Sequence, residues 1–251
     1  VVEQQTAAPC LFLQGATGDL GPREGFVGDT AVADRNGRQL GFAALAAFES
    51  MPPAGTRFEY AGAVVSGATL GPWRHRPIPT AERDRQAAWQ CQRFRVDLPY
   101  RIDLPNETET RAQLAHWEKE EARAQAANNP AGVRDCHAHV ERMNRQLARL
   151  AFLPAGQAYP LPVTIRRLGG AVWIFTSGEL YQVYQRTVRD RFPDTAIVVA
   201  TLTNDWHPGY VPPAATFGKG IYQETIAAVG PGSLEVLIES VSREIGKVIA
   251  Q

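Results

Sequence analysis

Apolar residues recur at helical spacing in three long stretches of this chain and at strand spacing in several short ones. From about Thr30 to Glu49 the spacing predicts a helix with Leu40, Ala44, Leu45 and Phe48 on one face. Glu107 to Leu150 is the most helical part, broken by the turn residues Asn128-Asn129-Pro130-Ala131-Gly132. It reads as two antiparallel helices, an insertion over 106–150, with Cys136, Val140, Met143, Leu147 and Leu150 as the stripe of the second. A last helix, capped by Ser233, carries Leu234, Leu237, Val241, Ile245 and Val248 on one side.

Strands are expected at Cys10–Gln14, Arg57–Ser66, Phe94–Ile102, Leu161–Leu168, Ala171–Phe175 and Thr195–Leu202. The first reads as a buried strand feeding the loop Gly15-Ala16-Thr17-Gly18-Asp19, and the last as a strand buried on both faces. Gly71–Pro79, rich in Pro and Arg, reads as an ordered surface loop, and Glu179–Phe192 as a helix. Strand and helix alternate towards the carboxy end. The expected fold is therefore α/β, a layered mixed sheet with flanking helices and the inserted hairpin, forming one domain over 1–251.

Composition narrows the functional classes. Lys+Arg and Asp+Glu both number 26, so nothing points to a polyanion-binding surface or to nucleic acid. The clustered arginines between Arg74 and Arg95 are interleaved with acids and apolar residues, as on a solvated face. No apolar run approaches the ~20 residues of a membrane span. Cys10, Cys91 and Cys136 lack CxxC spacing, which argues against a thiolate metal site and leaves room for one disulfide plus a free thiol. Asn106-Glu107-Thr108 fits a glycosylation sequon, although a helix N-cap is the more economical role for Asn106.

Residue types with chemical reach gather at the carboxy end. Glu179 follows Ser177-Gly178 after an apolar strand, where a helix dipole favours a carboxylate with or without a function. Tyr210 lies past another buried strand on the Pro/Gly loop Thr203-Asn204-Asp205-Trp206-His207-Pro208-Gly209-Tyr210. Loops at strand ends are where α/β folds place their sites, and such a tyrosine also serves simply to cover a core. His137 and His139 form HxH, but on a helix residues two apart point about 200° away from each other and cannot share an ion. His75 and His116 are isolated, which leaves His207 as the local imidazole able to contact substrate or support a ligand.

The run Ser177-Gly178-Glu179-Leu180, the Arg-containing segment and apolar strand after it, Asn204 to Tyr210-Val211-Pro212 and Ile221-Tyr222-Gln223 resemble the neutral/alkaline ceramidase family. Gln14-Gly15-Ala16-Thr17-Gly18-Asp19-Leu20-Gly21-Pro22 is similar to that family's Gly-Asp-x-Ser-Pro loop. The resemblance implies a Zn2+ site with Glu179 and Tyr210 as metal ligands, and Tyr222 contacting substrate near the scissile amide. Asp19 would hydrogen-bond nearby backbone amides and buttress the catalytic floor. It also implies an N-acyl lipid amide as substrate and favours a secreted or periplasmic location.

There are departures from the family. Gly21 stands where a serine is proposed to act, so water rather than a serine nucleophile is expected to attack. Gln223 stands where the family often has Glu. The family's two zinc-binding histidines precede the Gly-Asp loop, so the expectation is that an amino-terminal segment or chain supplies them and that these residues form the carboxy-terminal part of the catalytic domain. The competing class is a binding or structural subunit that has lost its metal. A serine hydrolase ranks last, because no GxSxG elbow occurs and Ser177 has no neighbouring base.

Overall fold

The structure, a computed structural model, describes residues 1–250 and has an α/β fold of mixed sheets with flanking helices. It divides into two compact units, one built from 1–13, 20–90 and 167–171, the other from 14–19, 91–166 and 172–251.

The first unit holds helices α1 (Val2–Thr6) and α2 (Thr30–Glu49), strands β1 (Thr56–Tyr60), β2 (Val64–Ser66), β3 (Ala68–Leu70) and β4 (Trp73–Pro77), and helix α3 (Thr80–Gln86). Helix α2 has the predicted bounds, because Asp29 accepts a hydrogen bond from the Ala31 amide and caps its start. Its expected face is not covered, however: Leu40 and Phe48 are 58% and 52% exposed.

Three expectations fail in this unit. Leu11, Phe12 and Leu13 form no strand and are exposed, since an apolar run becomes a buried strand only where a sheet edge receives it. The Gly71–Pro79 segment is not a loop throughout, because β4 pairs antiparallel with β1. Tyr60 faces Trp73 and Phe58 faces His75 in that ladder, and rings across strands offset the weak strand propensity of Pro and Arg. The single strand expected over 57–66 is two, and Val64–Ser66 pairs with β3.

The second unit contains β5 (Trp89–Pro99, which begins in the first unit), α4 (Glu107–Ala126), α5 (Pro130–Ala151), β6 (Ala158–Leu168), β7 (Ala171–Thr176), β8 (Glu179–Leu180), α6 (Gln182–Arg191), β9 (Ala196–Ala200), β10 (Tyr210–Val211), α7 (Tyr222–Ile226) and α8 (Ser233–Ala250). Strands run in the order β5-β6-β7-β9 in one sheet, and β8 pairs with β10 in a second. Along β6 and β7 every other side chain is buried: Tyr159, Leu161, Val163 and Ile165, then Val172, Ile174 and Thr176. The predicted stripe of α8 joins these residues in one hydrophobic cluster. Full burial of such a side chain stabilises by about 1.5–3 kcal/mol. Ser233 does not cap α8; it is the first helical residue, and its buried hydroxyl has no partner among the described residues.

Helices α4 and α5 form an antiparallel pair: Trp117 stacks on His139 at 3.9 Å and Glu121 meets His137 at 3.1 Å. Asn106 accepts from the Glu109 amide at 2.8 Å and caps α4, and Asn129 does the same for α5 through Gly132. Cys10, Cys91 and Cys136 are free thiols.

Candidate functional site

The site grows from the loops that follow β7 and β9. Glu179 does not open a helix as its sequence position suggested. Glu179 and Leu180 form β8, which runs parallel to β10 with Glu179 directly opposite Tyr210 and Leu180 opposite Val211. Residues in register on adjacent strands project to the same side, which brings the Tyr210 phenol close enough to the Glu179 carboxylate for the two to interact. The Glu179 amide donates to Gly209 O at 2.8 Å and fixes the start of the pairing.

This pairing requires Gly178. Its φ is +78°, and an added Cβ would sit 3.1 Å from Gly209 O and 3.3 Å from Pro208 Cδ. A side chain here would meet both the left-handed backbone penalty and a rigid neighbour. The turn is fastened further by Thr203, whose amide and hydroxyl both donate to Thr176 O.

The 14–19 loop lies beneath the pair. Gly18 N donates to Leu180 O at 2.8 Å, and an added Cβ on Gly18 would reach Glu179 O at 2.8 Å. Thr201 donates its amide to Gln14 O and its hydroxyl to Gly15 O, while Gln185 Oε1 accepts from the Ala16 amide. Asp19 accepts from the Gln182 amide at 2.6 Å, at the start of α6. It therefore holds a remote helix N-terminus rather than amides within its own loop, and it does not line the cavity around Glu179. Gln223 donates to Gly18 O at 3.4 Å, which links this loop to α7.

Glu179 and Tyr210 open onto a groove of about 430 Å³, bordered also by Trp206, His207 and Tyr222. Trp206 Nε1 donates to Glu179 Oε1 at 2.9 Å, with the Tyr210 phenol on the same side of the pairing. Burial first, and then the neighbouring Glu179 carboxylate, push the Tyr210 phenol up to about 12. The Tyr222 ring meets Tyr210 edge-on at 6.3 Å, and the residue is 63% exposed and borders the groove. Its backbone is set by Glu224, which accepts from the amides of Gly218, Lys219 and Gly220, and by Arg101, whose Nη1 donates to Glu224 O at 2.6 Å.

His207 lies beside this pair with Nδ1 at 2.7 Å from Asp205 Oδ1. Burial works against ionisation of Asp205, but hydrogen bonds from His207 and from backbone amides outweigh it and lower its pKa. An ionised Asp205 can only accept, so Nδ1 donates and the ring is held with Nε2 on its other side. The other histidines lie elsewhere: His137 and His139 face α4, and His75 lies in β4 against Phe58.

The rest of the groove was not foreseen from the sequence. Arg145, Ala148, Arg149 and Phe152, from α5 and just beyond it, form one wall, and Ile226 of α7 completes it. Nothing in the α5 pattern distinguishes those residues from an ordinary solvated face. Ser177 is buried and does not line the groove.

As metal donors the chain offers a carboxylate and a phenol side by side, with His207 on the same groove. Among the described residues no three His, Cys, Asp or Glu side chains come together. Both oxygen donors suit a hard or borderline cation, so these residues fit half of a coordination shell. No helix among the described residues is long and apolar enough to cross a membrane. Comparison of the chain with protein-family models, with curated proteins and with solved structures gives no match.

Proposed function

We propose that this chain carries the carboxylate–tyrosine half of the metal site of a zinc-dependent hydrolase of N-acyl amides. The observation that supports it is the in-register pairing of Glu179 with Tyr210 at the mouth of the groove. Separate roles as a helix-start carboxylate and a covering tyrosine do not account for two coupled oxygen donors facing one cavity. The ceramidase resemblance rests on the same two residues and on Tyr222.

Glu179 and Tyr210 would hold the ion, together with two histidines from outside these residues. The chemistry such an ion supplies is ionisation of a water near neutral pH and polarisation of the amide carbonyl. The protein's own groups do the rest. Trp206 holds one oxygen of Glu179 and directs the carboxylate. Tyr222 donates to the oxygen that becomes negative as the carbonyl carbon turns tetrahedral. His207, oriented by Asp205, delivers a proton to the departing amine from Nε2. Gly21 offers no hydroxyl, so attack by water is the route this chain favours.

Hydrolysis of a long-chain N-acyl amide by the intact protein, with zinc and with a chelator, tests the proposal. Activity should vanish with the chelator, return with zinc, and fall more than about 100-fold in Glu179→Gln, beyond what loss of a supporting partner alone costs. Chelator-resistant turnover would refute it. The second reading, a binding subunit without chemistry, is favoured by the absence of further ligands among the described residues. It predicts ligand binding with no turnover under any metal.

A further inference from the structure

The α5 wall of the groove carries two arginines, and one of them, Arg149, has no acidic partner among the described residues. Arg149 is half-buried, and among the described residues its side chain makes one hydrogen bond, from Nη2 to Gln146 Oε1 at 2.5 Å. Its Nε is buried without a hydrogen-bond partner, and no carboxylate among the described residues pairs with it. Arg145, one turn earlier on the same wall, reaches Glu141 only at 3.8 Å. Burial lowers the pKa of Arg149, and Arg142 and Arg145 act in the same direction. A guanidinium nevertheless stays charged throughout the ordinary pH range.

Holding a half-buried cation without a counter-ion is costly, and a buried N–H with no acceptor adds to the cost. A surface arginine would turn to solvent, and a structural one would find a carboxylate. Arg149 does neither, and it opens onto the groove that holds Glu179 and Tyr210. It is also close enough to Tyr222 for the two to interact electrostatically. Phe152 and Ile226 supply apolar surface beside it. The cationic subsite therefore lies near the reacting end of the groove.

We propose that the groove selects amides bearing a carboxylate close to the scissile bond, as in an N-acyl amino acid, with Arg149 as the carboxylate-binding residue. Arg145 adds charge at the rim, and the acyl chain lies along Phe152 and Ile226. The substrate class rests on the amide-hydrolase reading of the same groove, while the anion subsite does not. A planar guanidinium binds a carboxylate through two parallel N–H donors, which a hydroxyl in the same place cannot match. A neutral amide would leave Arg149 unpaired, and sites with unpaired buried donors reject such analogues strongly.

The test is a binding comparison on the intact protein with chelator present, so that turnover does not interfere. The probes are N-lauroylglycine and N-lauroylethanolamine, which share an acyl chain and differ in carboxylate against hydroxyl. We expect N-lauroylglycine to bind at least about tenfold more tightly, in line with a charge-assisted pair. Salt should weaken that advantage. Arg149→Gln should remove most of it, Arg149→Lys should restore part, and Arg145→Gln should reduce it less. Equal affinity for the two probes in the unaltered protein overturns the proposal, and so does an Arg149→Gln protein that keeps the full preference. The first comparison uses one folded protein and cannot be produced by a misfolded variant. Failure to hydrolyse either probe with zinc restored would count against the hydrolase reading and not against the anion subsite.

Discussion

Helices α2 and α8 present the same kind of apolar stripe, and the molecule treats them differently. In α8, Leu234, Leu237, Val241, Ile245 and Val248 are all buried in the cluster shared with β6 and β7. In α2, Leu40, Phe42 and Phe48 remain more than half exposed. Periodicity specifies a helix and the face it would bury, but a partner surface decides whether burial follows. The same distinction separates Asp19 from Glu179. Asp19 is fixed by backbone contacts within its own unit, whereas Glu179 acquires its meaning only when Tyr210 arrives on a strand beside it.

Truncation of equivalent stripe positions sharpens the first contrast and carries the largest expected effect. Leu237→Ala should cost about 2–5 kcal/mol in urea unfolding, the range for emptying a well-packed core position. Leu40→Ala should stay within about 0.5 kcal/mol, as for an uncovered surface residue. Similar losses at both positions would show that α2 is covered in solution.

A second contrast concerns the histidines. His207→Gln should lower kcat/KM for an N-acyl amide about 100-fold, the lower range for loss of a general acid or base. His137→Gln, on the α4–α5 pair, should leave it unchanged. An unaltered rate in His207→Gln would remove the Asp205–His207 pair from the chemistry.

The smallest effect is in the alkaline range. Tyr210 has a folded-state pKa of about 12 against an ordinary value of 10.0. A raised pKa means that the stability linked to the protonated phenol is fully present below pH ~10 and is lost as the pH rises towards ~12. Measured on the zinc-free protein, Tyr210→Phe should show a shallower fall in stability across that window. Equal slopes would mean that neither burial nor the Glu179 carboxylate holds the Tyr210 proton.

Much of this molecule was legible because the signals were local and long. Asn106 marks a helix start, the Asn128–Gly132 turn separates α4 from α5, and the α8 stripe runs for the length of the helix. Short, remote pairings were not legible. Strand β4 exists because β1 lies beside it, and β8 is two residues long, held by Tyr210 and Gly209 from beyond β9. The Cys10–Gln14 run carries the pattern of a buried strand and lacks the neighbour that would make it one. In the site, Glu179, Tyr210 and Tyr222 were reachable through a family resemblance. Trp206 and Arg149 carry no such pattern, and their roles appear only once α5 and the 203–210 loop stand over the groove.

The central claim is that Glu179 and Tyr210 bind a metal together. The most direct measurement is the zinc content of the intact protein by elemental mass spectrometry, beside Glu179→Gln and Tyr210→Phe. The account predicts about one zinc per site in the unaltered protein, as for a single catalytic ion, with Glu179→Gln empty and Tyr210→Phe depleted. An intact protein that takes up no zinc when it is added back, or a Glu179→Gln protein that keeps its full content, would contradict it.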